Sequence, residues 1–242
     1  MGQVESEIQS NSIVQQIIKS PKVTGTALEY IIINVGYKPQ AVELLQQIAS
    51  SKAADRTTFG ALIQLLTTTH LKVEDVNLMI QNILNSPNTE GSTLNGLAAM
   101  VINAEPPIKE SEQIFLQISK NPNHDQSSLS GIVLLVKYSK KHIMNSEKIL
   151  SHVINAREVD ASVLGSIADV IQKSKTPIID ADKLLFKIRD SPKADKVTLE
   201  FVEKAVKGSN FKIANSTIHE NLLIIEKLNC FSKLKSNEKA SF

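Results

Sequence analysis

The side chains of this 242-residue chain that could carry chemistry are a single cysteine, five histidines and several acidic residues. The one cysteine, Cys230, excludes an internal disulfide and fits a reducing compartment. No histidine lies near it in sequence, so we expect it to act as a small, half-buried apolar residue. Asp180 and Asp182 fit the start of a helix, where carboxylates stabilise free N–H groups, better than an acid–base pair.

The five histidines lack the spacing of a metal site. His142 and His152 fall on separate faces, and we expect His70, His124 and His142 in loops or at helix ends, exposed to solvent. The sequence also contains no Gly-rich phosphate loop and no nucleophile elbow. It therefore predicts no catalytic residue, no cofactor, no metal and no enzymatic activity.

Basic residues are concentrated in the second half of the chain, where residues 121–242 hold 19 of the 27 lysines and arginines. Several of them are 35 or 70 residues apart and form a candidate partner-binding ridge: Lys137, Lys140, Lys175, Lys207, Lys148 and Lys183. Stacked cations could bind an acidic protein, a phosphate or a nucleic acid. In that case the first four should share a face without carboxylates. The alternative is an ordinary solvated surface, because helix C-terminal ends favour cations anyway.

Apolar residues that recur every 35 residues predict the elements that position these side chains. One series opens a helix: Phe59, Leu94, Leu129, Leu164 and Leu199. Apolar residues follow three and seven positions later, which places them on one helical face. A second series predicts another helix in each repeat: Leu44, Met79, Ile114, Ile149 and Leu184. Each repeat is therefore a helical hairpin, with a first helix A and a second helix B.

Acidic residues four positions before each A-helix opener predict N-terminal caps. They are Asp55, Glu90, Asp125, Asp160 and Asp195. A cap carboxylate accepts hydrogen bonds from the free N–H groups of the first turn. Prolines end several B helices, because proline lacks the N–H that a helix needs.

These patterns predict an all-α, right-handed α-solenoid (superhelix) of antiparallel hairpins with a 35-residue repeat and about 13 helices. The predicted A helices are 24–36, 56–69, 91–104, 126–139, 161–173 and 195–208. The predicted B helices are 11–19, 39–49, 73–85, 109–120, 143–155, 179–190 and 214–229. We expect one continuous domain over 1–230 and a polar, disordered tail over 231–242. The predicted core includes Leu94, Leu97, Ile114, Ile118, Leu129 and Ile132.

The 35-residue hairpin resembles pentatricopeptide repeats and is close to the tetratricopeptide period. In that family an Asp, two residues and a Thr precede the apolar opener, and residues 125–129 and 195–199 follow this outline. The resemblance implies RNA binding through a base-reading residue two positions after the opener. Here that position holds Ala61, Gly96, Gly131, Ser166 and Phe201. Gly, Ala and Phe cannot read a base edge through side-chain hydrogen bonds, so the resemblance is one of architecture.

We therefore expect a non-catalytic binding scaffold whose concave solenoid surface holds a protein or peptide partner. The alternative is an RNA-binding pentatricopeptide-like protein that uses the basic C-terminal ridge. No apolar run is long enough for a membrane span, and we expect a cytoplasmic protein. The composition, low in aromatics and rich in Asn, Ser, Lys and Ile, suggests an AT-rich genome and delivery into a host cell as a bacterial effector. The sequence leaves the oligomeric state open.

Overall fold

The computed structural model describes residues 12–35, 41–68, 73–104, 108, 110–139, 143–174 and 178–208. Within these ranges all regular structure is helical and there is no strand, which confirms the predicted all-helical fold. The described residues form twelve helices: α1 (12–19), α2 (Gly25–Val35), α3 (Val42–Ala49), α4 (Arg56–Thr68), α5 (Val73–Asn85), α6 (Gly91–Asn103), α7 (Ser111–Ser119), α8 (Gln126–Tyr138), α9 (Ser146–Ile154), α10 (Ala161–Lys173), α11 (Ala181–Arg189) and α12 (Lys196–Gly208). The predicted helix 214–229 and the predicted tail lie outside the described residues.

The even-numbered helices are the A helices and the odd-numbered ones are the B helices. The A helices begin and end within one residue of their predicted bounds, and the B helices within three. Apolar residues on one face of each helix explain this agreement, because only a helix brings positions three and seven apart together. The six predicted core residues are all at most 5% exposed, which confirms them as core.

Backbone contacts divide the chain into two compact units, with the boundary in the sequence between Ser111 and Glu112. In the first unit α4 packs against both α2 and α6, and α3 packs against α5 and α4. In the second unit α10 packs against both α8 and α12, and α9 packs against α11. Within each unit, A helices therefore pack on A helices and B helices on B helices. The predicted single domain over 1–230 stays a prediction.

The loops from B to A helices hold neighbouring A helices in register. The Asp125 carboxylate accepts a hydrogen bond from the Ser128 N–H at 2.7 Å, and Asp160 accepts one from the Val163 N–H at 2.9 Å. The Thr198 hydroxyl donates to the Ala161 carbonyl at 2.9 Å, which joins the first turns of α12 and α10. The bond from Thr198 aligns the starts of α10 and α12, whereas the bonds to Asp125 and Asp160 cap the first turns of α8 and α10.

The cap predicted at Glu90 is wrong, because its side chain makes no cap hydrogen bond to the start of α6. Glutamate carries its carboxylate one methylene further from the backbone than aspartate, and it is not among the favoured N-cap residues. The other four acidic residues of the series accept the expected N–H bonds.

Candidate binding groove

The exposed face of the A helices in the second unit contains an open groove of about 650 Å³. Three consecutive A helices, α8, α10 and α12, and the starts of the latter two line it. The lining residues are Val133, Leu134, Lys137, Asp160, Ala161, Ser162, Gly165, Ser166, Asp169, Val170, Lys173, Asp195, Val197, Thr198 and Phe201. We call this surface the second-unit groove.

Small residues on α10 keep the middle of the groove open. Gly165 and Ser166 follow Ser162 on this helix by three and four positions, so both lie on the same face as Ser162. The Phe201 ring of α12 lies beside Gly165, because a Cβ atom added to that glycine would be 3.3 Å from the ring. A larger side chain at Gly165 would have to displace the ring or fill the groove.

Exposed apolar side chains line part of the groove, and their contact with water is unfavourable. Leu134 of α8 is 48% exposed and Val197 of α12 is 56% exposed. Covering such side chains with a ligand stabilises a complex by about 25 cal/mol per Å² of apolar area. The groove therefore offers apolar contact along α8 and α12, on either side of the small residues of α10.

One end of the groove carries a charged cluster that joins two A helices. The Asp169 carboxylate of α10 accepts hydrogen bonds from Lys137 of α8 at 2.7 Å and from Lys173 of its own helix at 2.6 Å. Burial raises the pKa of Asp169, but the bonds from the two lysines outweigh it and hold the pKa below its ordinary value. The hydrogen bond to Asp169 in turn raises the pKa of Lys137. Two ammonium groups share one carboxylate, so the cluster keeps a net positive charge.

The other end of the groove holds the cap residues of α10 and α12. Asp160 accepts bonds from the Val163 N–H and the Ser162 hydroxyl, and Asp195 accepts one from the Thr198 N–H at 2.7 Å. The backbone and hydroxyl bonds from Thr198 hold the pKa of Asp195 below its ordinary value. The Asp195 carboxylate thus stays ionised. The groove has acidic side chains at the helix starts and the ammonium groups of Lys137 and Lys173 at its other end.

The first unit has a smaller groove on its own A helices. It measures about 570 Å³, and α2 and α4 line it: Glu29, Ile32, Ile33, Thr57, Gly60, Ala61, Gln64 and Leu65. Thr57, Gly60 and Ala61 occupy the positions in α4 that Ser162, Gly165 and Ser166 occupy in α10. An open A-helix face is therefore present in both units, but the first-unit groove has no counterpart of the Lys–Asp–Lys cluster among its lining residues.

The structure places the candidate ridge lysines on different helices. Lys137 and Lys207 lie near the ends of the A helices α8 and α12, whereas Lys148 and Lys183 are exposed on the B helices α9 and α11. Lys140 and Lys175 lie outside the described residues. A functional ridge would require a face without carboxylates, but Lys137 pairs with Asp169 and Lys207 pairs with Glu203. Lys183 pairs with Asp180 at 3.0 Å.

The expectation of a solvated histidine is wrong for His124, which is 5% exposed. Its Nε2–H donates to the Ile118 carbonyl at 2.8 Å, and Nδ1 lies 2.9 Å from the Ser128 hydroxyl. Burial lowers the pKa of His124, although the bond to Ile118 and the charge of Asp125 oppose this. The ring fills the loop between α7 and α8 and is structural. His70, His142, His219 and Cys230 lie outside the described residues.

Sequence reasoning missed most of the groove. It named Ser166 and Phe201 only as the residues at the base-reading position of two repeats, and it did not identify Gly165 or Asp169. The available signal was the 35-residue register itself, since Gly60 and Gly165 occupy the same position in two repeats. Within the described ranges no group of three or more His, Cys, Asp or Glu side chains could hold a metal ion. None of the helices that the structure describes is long and apolar enough to cross a membrane.

Packed helical hairpins with an open A-helix groove in each unit define an all-helical, repeat-like class of protein. No protein-family model, curated protein or solved structure matches the chain.

Proposed function

We propose that this chain is a non-catalytic binding protein whose second-unit groove holds a peptide segment of a protein partner. The observation that carries the proposal is the lining of the groove. Small residues keep its centre open, apolar Leu134 and Val197 are exposed beside it, and opposite charges mark its two ends. A peptide can meet all three features at once through apolar side chains and a charge at each end.

The finer architecture forms part of this proposal: a right-handed solenoid with a 35-residue repeat and a concave binding surface. The starts of successive A helices support the repeat length, since α4, α6, α8, α10 and α12 begin 35 residues apart. A crystal structure of the whole chain would test the hand and the curvature.

RNA binding through the basic ridge is the weaker alternative. Of the four lysines expected to share a free cationic face, the two in the described ranges each have a carboxylate partner. A paired lysine attracts phosphate less than a free one. An RNA-bound state would be recognised by binding that weakens steeply as salt rises.

Panning of a random peptide library on the immobilised chain would test the proposal. We expect selected peptides to bind the wild type and to lose at least about tenfold in affinity for Ser166→Trp, which fills the groove from an exposed position on α10. Lys148→Ala on the B helix α9 is the matched control and should leave the affinity unchanged. Peptides that bind Ser166→Trp as well as the wild type would overturn the proposed site.

A further inference from the structure

A second set of cations lies on the B helices of the second unit, apart from the groove. His152 is in the last turn of α9, Lys187 is in the last turn of α11, and Lys120 directly follows α7. His152 and Lys187 occupy equivalent positions in neighbouring repeats, 35 residues apart. Equivalent positions on packed helices lie side by side, and α9 packs against α11.

Two hydrogen bonds connect the helices that carry these residues at this point. The His152 ring lies 2.9 Å from the hydroxyl of Ser119, the residue before Lys120. The Lys187 ammonium donates at 2.7 Å to the hydroxyl of Ser151, the residue before His152. Lys120 and Lys187 both reach His152 electrostatically, since burial and then these two lysines lower the pKa of its imidazole. Three groups that carry or can accept a positive charge are therefore close enough to act on one another electrostatically.

The bonding of Ser119 fixes which ring nitrogen of His152 carries the proton. The Ser119 hydroxyl donates its single hydrogen to the Leu116 carbonyl at 2.8 Å, because a carbonyl can only accept. The His152 Nδ1 atom must then be the donor to Ser119. Nε2 is left as the nitrogen that gains a proton when the ring becomes charged, and it is then a donor for an anion.

These cations are not neutralised in the way that the groove lysines are. In the part of the chain that the structure describes, neither Lys120 nor Lys187 forms an ion pair with a carboxylate. Both side chains are exposed, and His152 is half-buried. The partial negative charge at the C-terminal ends of the B helices favours cations here. It does not replace an anion that could bind Lys120, His152 and Lys187 together.

We propose that Lys120, His152 and Lys187 form a binding site for a doubly charged tetrahedral oxyanion such as a phosphate group. The two ammonium groups supply compact point charges, and protonated Nε2 supplies a directed hydrogen bond. Binding of the anion and protonation of His152 favour each other, because each lowers the electrostatic cost of the other. The site is independent of the proposed peptide groove.

The test uses sulfate, which stays doubly charged while histidine titrates, and follows the His152 imidazole resonance of the full chain by NMR. Replacing chloride by sulfate at constant ionic strength should move the His152 titration to higher pH. The buried His124 is the internal control, and its titration should not move. A His152 titration that is the same in both salts, or an equal movement at His124, would overturn the site.

Variants assign the effect to the two lysines. Lys120→Gln with Lys187→Gln should abolish the sulfate-dependent movement, whereas Lys148→Gln, an exposed lysine on the same helix as His152, should leave it intact. A movement that survives the double variant contradicts the proposal. Because all three positions are on the surface, folding should be retained and can be checked by circular dichroism.

Phosphate esters then define the ligand. At about pH 7 methyl phosphate is mainly a dianion, and its binding should move the His152 resonance toward the position of the protonated ring. This should happen at a lower concentration than with dimethyl phosphate, a monoanion, and equal responses would contradict a site for a double charge. Inorganic phosphate and a phosphoserine peptide distinguish the two sources of the same group. Either one binding more tightly supports the site and identifies its source as the free anion or a phosphorylated partner.

Discussion

The Lys137 ammonium of α8 lies 2.7 Å from the Asp169 carboxylate of α10 and joins two A helices at the edge of the second-unit groove. The two side chains are only 22% and 15% exposed, so water would solvate the remaining charged group incompletely if its partner were lost. Lys173 binds the other oxygen of the same carboxylate at 2.6 Å. Asp169 is therefore the residue on which the charge balance of this end of the groove depends.

Asp169→Asn should destabilise the second unit by about 1–2 kcal/mol, because Lys137 and Lys173 lose the charge that holds them together. Urea unfolding at neutral pH measures the loss. The pKa of Asp169 is lowered from 3.8, so its contribution is present above that value and disappears as the pH falls below it. The difference in unfolding free energy between wild type and Asp169→Asn should therefore decrease as the pH falls below 3.8.

The control for this charge effect is Glu203→Gln, which removes the partner of exposed Lys207 within one helix. Such surface pairs contribute about 0.5 kcal/mol or less. Equal losses of unfolding free energy in the two variants would mean that the ion pair between α8 and α10 stabilises the fold no more than an exposed pair within one helix does.

His124 should make the fold sensitive to mild acid. Burial holds its folded pKa below the ordinary value of 6.5, so the unfolded chain binds the proton first. The free energy of unfolding is therefore unaffected by this histidine above pH 6.5, and it decreases as the pH falls from 6.5 toward the folded pKa. His152 has the same sign of shift and adds to the trend.

His124→Val should remove part of this acid sensitivity, as seen by comparing urea midpoints at about pH 7.5 and about pH 5. Valine is the natural choice, because Val159 occupies the equivalent loop position of the next repeat and is buried. The Ile118 carbonyl keeps its bond from the Asn121 N–H at 3.0 Å. An unchanged pH dependence in this variant would refute the assignment.

Gly60 and Gly165 form a matched pair that tests the packing around the groove. An added Cβ meets nothing within 4 Å at Gly60 but lies 3.3 Å from the Phe201 ring at Gly165. Gly60→Ala should therefore stabilise α4 by about 1 kcal/mol through helix propensity. Gly165→Ala should gain clearly less, because the ring must move. Thermal unfolding compares the two, and equal gains would mean that Phe201 does not pack on α10.

The helix caps predict another contrast. Asp125→Ala should cost about 1 kcal/mol, since its carboxylate binds the Ser128 N–H and completes a capping box. Glu90→Ala at the equivalent position should cost almost nothing, because Glu90 makes no cap bond. If both variants lost the same stability, the capping bonds would not be the cause.

The sequence predicted the helices because their cause is local and repeated. Leu129 and Ile132 must face the same side of one helix to be buried, and the same spacing recurs in each repeat. The burial of His124 was within reach for the same reason, since Ala54 and Val159 hold the equivalent position in other repeats and are buried.

The groove could not be predicted in the same way, because it depends on contacts between helices and on a glycine, which leaves space by having no side chain. Gly165 matters through the Phe201 ring that it admits, and the ring is 36 positions further along the chain. Lys137 and Asp169 are 32 residues apart and meet only because α8 packs on α10. Apolar periodicity specifies which faces are buried but not which exposed side chains pair.

The most direct test of the central claim is to map a bound peptide by methyl NMR of the full chain. With a peptide selected by panning, we expect the largest shifts at methyl groups of the groove, namely Val133, Leu134, Val170 and Val197. Methyl groups of Ile149, Leu150, Leu184 and Leu185, buried on the B helices α9 and α11, should hardly move. Shifts that map to α9 and α11 and leave the groove unchanged would contradict a peptide-binding groove on the A helices.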